Sequence, residues 1–247
     1  MASHMLWSGI LLTELTGVQG DYFSVFGGSI CNVDDLQAEA FYNKDAYSIY
    51  ELHVLKCLVA FWNGDYISAE VHSHNASAMM PVSQTPTSCL VYRIFFGGLV
   101  AFQMFRQAGG EQRLQEGKET MERMGKWADV SMAVFDNKGM LLSAEYSACI
   151  GENDTAEQFY KASIMAAGDH GNIHELALAY ELLGNYYAAR ELGTNSIECY
   201  HNAYKYYNQW GATAVAVKLF HKHNLGMQSA ATASGMGLEM GNPKRSR

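Results

Sequence analysis

Helix breakers are scarce in this sequence. Only three prolines occur in 247 residues, at Pro81, Pro86 and Pro243, so helix is compatible with almost the whole chain. Basic clusters are also scarce. The formal charge is −8, and Lys and Arg run together only at Lys244, Arg245 and Arg247. A nucleic-acid binder presents a basic face, so no nucleic-acid partner is expected. There is no CxxC pair. The five cysteines, Cys31, Cys57, Cys89, Cys149 and Cys199, are odd in number and widely spaced, which fits reduced thiols of a cytoplasmic protein better than a disulfide framework or a zinc site. A clean apolar run of about 20 residues is missing too. The most apolar stretch, 89–105, is interrupted by Arg93, Gln103 and Gly97-Gly98, and reads as a core helix with no membrane partner. Neither a phosphate-cradling loop nor a nucleophile elbow is present.

Hydrophobic residues make up 49% of the chain and charged residues 17%, enough apolar surface for a packed core. Glycine supplies the punctuation. Gly64, Gly109, Gly151 and Gly193 stand at four turn-like segments, 45, 42 and 42 residues apart. A nearly constant interval of this size points to stacked helical hairpins. Each such glycine is expected to take the left-handed conformation that ends a helix. Asp65 with Ser68, Asp154 with Glu157 and Asn195 with Glu198 are expected to open the helix that follows.

Apolar residues between these turns recur at helical spacing: Leu52, Leu55, Val59 and Trp62; Leu176, Tyr180, Leu183 and Tyr187; Ile197, Tyr200, Tyr204 and Tyr207. The pattern predicts helix pairs over 46–62 with 65–79, 88–107 with 111–127, 138–150 with 154–167, and 174–190 with 195–208, then a capping helix over 212–223. Residues 128–136 and 81–87 read as irregular. Residues 1–5 read as an expression-vector remnant, 6–45 as an N-terminal helical segment with helices near 6–15 and 34–43, 46–223 as the repeats, and 224–247 as a solvated tail. The fold expected is all-α, a right-handed α–α superhelix of stacked hairpins.

The 174–210 region resembles the tetratricopeptide repeat. Tyr180-x-x-Leu183-Gly184-x-x-Tyr187 is similar to that family's first helix, and Ser196-x-x-x-Tyr200 followed by Ala203 is similar to its second. Ala144 and Ala156-x-x-x-Tyr160 repeat the pattern more weakly, and the interval exceeds the family's usual 34 or so residues. The ordered segments Phe61-Trp-Asn-Gly-Asp-Tyr66, Phe135-Asp-Asn-Lys138, His174-Glu-Leu-Ala-Leu-Ala-Tyr180 and Ala203-Tyr-Lys-Tyr-Tyr-Asn-Gln-Trp-Gly-Ala212 resemble the helical-repeat region of large multidomain ATPase and histidine-kinase-type signalling proteins. That resemblance implies a regulatory middle segment without ATPase or kinase chemistry of its own.

In the repeat family, the residue after the helix glycine and the one three before it face a binding groove. The resemblance therefore implies Glu181 and Asn185, and in the preceding repeat Glu145 and Leu141, as partner-binding positions. The acidic pair implies a neutral to basic peptide, a protein, or another domain of the parent protein, with self-association through exposed repeat ends. No catalytic residue, metal or cofactor is expected. His72/His74 and His221/His223 are two apart on a helix and point about 200° from one another. Cys149 and Cys199 read as buried thiols, most tyrosines as core, and Tyr186 and Tyr206 as candidates for exposure. The alternative reading is a small-molecule sensor enclosed by 88–107 and the 81–87 connection.

Overall fold

The computed structural model describes residues 33–79 and 87–226. These residues form ten helices and no strand. In chain order they are α1 (Val33–Tyr42), α2 (Ala46–Trp62), α3 (Tyr66–Met79), α4 (Thr87–Ala108), α5 (Glu111–Ala128), α6 (Met132–Cys149), α7 (Asn153–Asp169), α8 (Ile173–Ala189), α9 (Gly193–Trp210) and α10 (Thr213–Lys222). Consecutive helices pack together throughout, and α2, α4, α6 and α8 also pack each against the next. The expected helix near 6–15, the connection over 80–86 and the tail beyond 226 lie outside the described residues.

One turn recurs six times and explains the regularity. A left-handed residue ends a helix at Lys44, Gly64, Gly151, Gly171, Glu191 and Gly211. The N–H of the next residue reaches back five positions, Asp45 to Ala40, Asp65 to Ala60, Glu152 to Ser147, Asn172 to Ala167, Leu192 to Tyr187 and Ala212 to Tyr207, at 2.9–3.0 Å. This is the long bond of the Schellman motif. The carbonyl of that same residue then accepts the first N–H of the following helix, for example Ala69 to Asp65 and Leu176 to Asn172. A single residue thus closes one helix and opens the next. Turns at 151, 171, 191 and 211 fall twenty residues apart, so a hairpin occupies forty.

That geometry corrects three expectations. Gly193 is the first residue of α9, and the left-handed residue is Glu191 at φ 60°. With α9 starting earlier, Asn195 and Glu198 sit inside the helix and form no capping box; likewise no side chain caps α7. Asp65 does cap α3, accepting from Ser68 N at 3.1 Å, and Asp45 caps α2 in the same way. The irregular stretch expected over 128–136 shrinks to 129–131, because the Ser131 carbonyl accepts from Val134 and Phe135 and the Phe135 ring packs on Trp127 at 5.5 Å.

Burial separates the two helices of each pair. Ten residues are buried in α2 and ten in α8, against two in α3 and four in α7, so the first helices supply the core. α4 runs 22 residues, and Cys89–Ala108 is long and apolar enough to cross a bilayer by length and composition. Its apolar side chains, including Phe95, Phe96, Leu99 and Phe102, are nevertheless buried in the fold. Close approach is set by small residues. A Cβ on Gly184 would lie 2.6 Å from the Tyr200 ring, which matches the small-residue and aromatic pairing of the repeat-like motif.

Gly211→Ala places a side chain at φ 94° and should cost about 1–2 kcal/mol. Glu191→Gly relieves the left-handed side chain but loosens the unfolded chain, so stability should stay within about 0.5 kcal/mol of the parent. Urea unfolding of both variants measures the contrast.

Candidate binding site

Glu181 and Asn185 stand one helical turn apart on α8. Because Gly184 lacks a side chain, α9 lies close across this face, and two α9 tyrosines reach the pair. Tyr207 Oη donates to Glu181 Oε2 at 2.7 Å, and Tyr200 Oη donates to Asn185 Oδ1 at 3.0 Å. Both tyrosine side chains are buried, whereas Glu181 and Asn185 remain half-buried. Glu181 is thus crowded by protein yet open to water. Burial pushes its carboxyl up, against the opposing pull of the Tyr207 hydroxyl, Lys222 and Lys218.

Residues distant in the chain meet beside this face. Tyr66 opens α3, and burial followed by the nearby Glu181 and Glu145 carboxylates pushes its phenol up to about 12. Trp62 meets Trp210 with ring centroids 5.9 Å apart. Lys218 Nζ on α10 donates to Asn63 O at 2.5 Å and Asn63 Oδ1 at 3.1 Å, joining residues 155 positions apart. His223 stacks on Tyr200 with centroids 3.6 Å apart.

Glu145 is placed differently. Its side chain is only 1% exposed and forms an ion pair with Arg106. It also accepts from Tyr160 Oη at 2.6 Å and Gln103 Nε2 at 3.3 Å. Its carboxylate is engaged inside the protein, and the neighbouring Leu141 is buried as well. The structure places Glu181 and Asn185 half-buried on one face of α8 and keeps Glu145 beneath the surface.

A second buried cluster joins α6 to α8. Lys138 and Glu175 pair at 2.6 Å with 7% and 5% of their side chains exposed, and Asn137 Nδ2 donates to Glu175 at 2.5 Å. Burial alone would raise the Glu175 carboxyl, but His174 and Lys138 outweigh it and hold the pKa low. The sequence motifs assign no site role to Arg106, Gln103, Lys138 or Glu175. Their signal is spacing: Gln103–Glu145, Asn137–Glu175, Glu70–Arg113 and His74–Glu116 lie 38–43 residues apart, close to one hairpin.

The remaining reactive side chains are dispersed. Burial pushes Cys57 up to about 12, and Cys149 and Cys199 up to about 11, away from thiolate chemistry. His72 turns toward His53 on α2, with Nδ1 atoms 3.0 Å apart, while His74 turns toward Glu116 on α5 at 3.3 Å. The described residues hold no group of three or more His, Cys, Asp or Glu able to bind a metal ion. Tyr186 is buried, contrary to expectation, because its hydroxyl donates to the Asn153 carbonyl at 2.9 Å and accepts from Arg190. Tyr206 is half-buried against Tyr180. A cleft of about 300 Å³ lies between α3, α4 and α5, with Ile94, Gly97 and Val100 among its apolar lining and Glu116, Glu119 and Arg123 among its charges.

Two measurements check these assignments. Burial and Lys222 lower the His223 pKa from 6.5 to about 4. The unfolded chain therefore binds more protons between those values, so this contribution to stability should fall as pH drops from 6.5 toward 4. His223→Gln should flatten that part of the stability–pH curve. Glu145→Ala leaves Arg106 and Tyr160 without their acceptor and should cost on the order of 3 kcal/mol in urea unfolding. Breaking the exposed Lys161–Glu157 pair should cost about 0.5 kcal/mol or less.

Comparison of the chain with protein-family models, with curated proteins and with solved structures finds no match.

Proposed function

We propose that this chain is a non-catalytic protein–protein interaction scaffold, built as a right-handed superhelix of tetratricopeptide-like hairpins and serving as a regulatory segment of a larger cytoplasmic signalling protein. The observation that carries the reading is the half-buried Glu181–Asn185 pair, held by Tyr207 and Tyr200 on a face beside which distant parts of the chain meet. Curvature is supported by that meeting of ends. Helices pack about 8–10 Å apart, so a straight stack of four pairs would keep α2 and α10 well separated, whereas Lys218 bonds Asn63. The amide of Asn185 can both donate to and accept from a peptide backbone. The half-buried Glu181 carboxylate suits a neutral or basic segment, from a separate protein or another domain of the parent. The raised thiol pKa values and the internally paired Glu145 and Glu175 support a binding role over nucleophilic or acid–base chemistry.

The test is a quantitative pull-down comparing the chain with a Glu181→Lys, Asn185→Ala variant of matched helicity. Partners should be captured by the parent and lost from the variant. Equal capture by both would remove this face from the binding surface. Glu145 is left unaltered, because a lysine beside Arg106 would report on stability.

A second reading, small-molecule sensing, is favoured by the cleft flanking α4, whose charged walls and apolar lining suit a small polar ligand. Native mass spectrometry of the purified chain should then show a stoichiometric small molecule that is lost on denaturation.

A further inference from the structure

The cleft between α3, α4 and α5 is polarised along its length. α3 and α5 run the same way past it, because Glu70 meets Arg113 and His74 meets Glu116. α4 runs opposite to α5, because Gly98 lies against Thr120 and Gly117 against Phe102. Part of the floor is backbone: Gly97 carries no side chain, and a Cβ there would lie 3.0 Å from Ser73 Oγ. Arg93 precedes Gly97 by one turn and Arg123 follows Thr120 by one turn, so both guanidinium groups line the same end. Arg93 is 8% exposed and Arg123 is exposed, which puts one cation at the base and the other at the mouth. Three carboxylates also line the cleft. Glu70 is paired with Arg113 at 2.6 Å, and Glu116 with His74 at 3.3 Å. Glu119 is exposed, stands one turn before Arg123 and accepts from the neutral Gln115 amide at 2.9 Å. A carboxylate with several acceptor sites and a neutral donor keeps capacity for a cation.

We propose that this cleft binds a small zwitterion, an aliphatic α-amino acid whose carboxylate lies between the Arg93 and Arg123 guanidinium groups and whose ammonium lies against Glu119. The proposal rests on the reading of the cleft as a small-molecule site and adds the chemistry of the ligand. The planar fork of a guanidinium matches a carboxylate. Two arginines at one end disfavour a bare cation, and three carboxylates in the same cleft disfavour a multiply charged anion such as phosphate. A molecule with one charge of each sign meets both demands. A volume of about 300 Å³ lies at the small end of ligand sites. Ile94 and Val100 in the lining suit an aliphatic side chain.

The test is equilibrium dialysis of the full chain against radiolabelled leucine. The competitors are leucinamide, which lacks the carboxylate, and isocaproate, which lacks the ammonium. Leucine should be retained stoichiometrically. Each competitor should displace it about tenfold less well than unlabelled leucine, because each forfeits one set of charge-assisted bonds. Arg123→Gln and Glu119→Gln should each weaken retention by about tenfold. Lys126→Gln and Glu122→Gln, the same charge changes at exposed positions of α5 outside the cleft, should leave it unchanged. All four substitutions fall on exposed side chains, and circular dichroism checks that helicity is matched. Absence of leucine retention would overturn the proposal. So would equal competition by leucinamide or isocaproate, or equal losses in the control variants. Should leucine fail while native mass spectrometry still shows a bound small molecule, the cleft stands as a ligand site and its zwitterion chemistry is wrong. Should both fail, the sensing reading falls as well.

Discussion

The architecture depends on one hydrogen bond, the N–H that reaches back five residues across a single left-handed position. Where it forms, the chain reverses in one residue and the next helix starts from the same carbonyl. Six helix junctions use it, with nearly the same N–O distance each time. A junction this short leaves little freedom in how the two helices it joins meet, so the hairpins that use it resemble one another. The requirement falls on backbone conformation rather than on side chain, which is why Lys44 and Glu191 serve beside four glycines.

Given such hairpins, polar contacts fall into register one hairpin apart. Arg106 meets Glu145 and Lys138 meets Glu175, each linking one first helix to the next. Buried ion pairs are weak sources of net stability, but removing one partner leaves an uncompensated charge. A slip of the stack by one position would strand a charge in the core. Among the described residues, Glu181 forms no such ion pair with a neighbouring first helix, and this difference marks it out.

Much of this was legible in the sequence. The glycines at 64, 109 and 151 located real turns, helical spacing located the helices, and Gly184 with Tyr200 identified a real close contact. The turn at Glu191 was illegible because a non-glycine residue carries the left-handed conformation, and the nearby Gly193 drew attention away from it. Motif position placed Glu145 beside Leu141 on α6 but carried no information about Arg106, which lies one hairpin earlier. Tyr186 looked exposed by helical phase, yet its hydroxyl is captured by Asn153 from the preceding helix. In each case the missing information was tertiary. The joining of Asn63 to Lys218 across 155 residues has no local sequence signal.

That long-range contact is the observation on which the proposed curvature of the array rests. It is tested most directly by replacing Asn63 with photoreactive p-benzoylphenylalanine, irradiating the dilute chain and locating the crosslink by mass spectrometry. The account requires intramolecular crosslinks to residues 210–222. Crosslinks confined to the neighbouring residues of α2 and α3 would mean that the ends of the array do not meet, and the proposed curvature would lose its support.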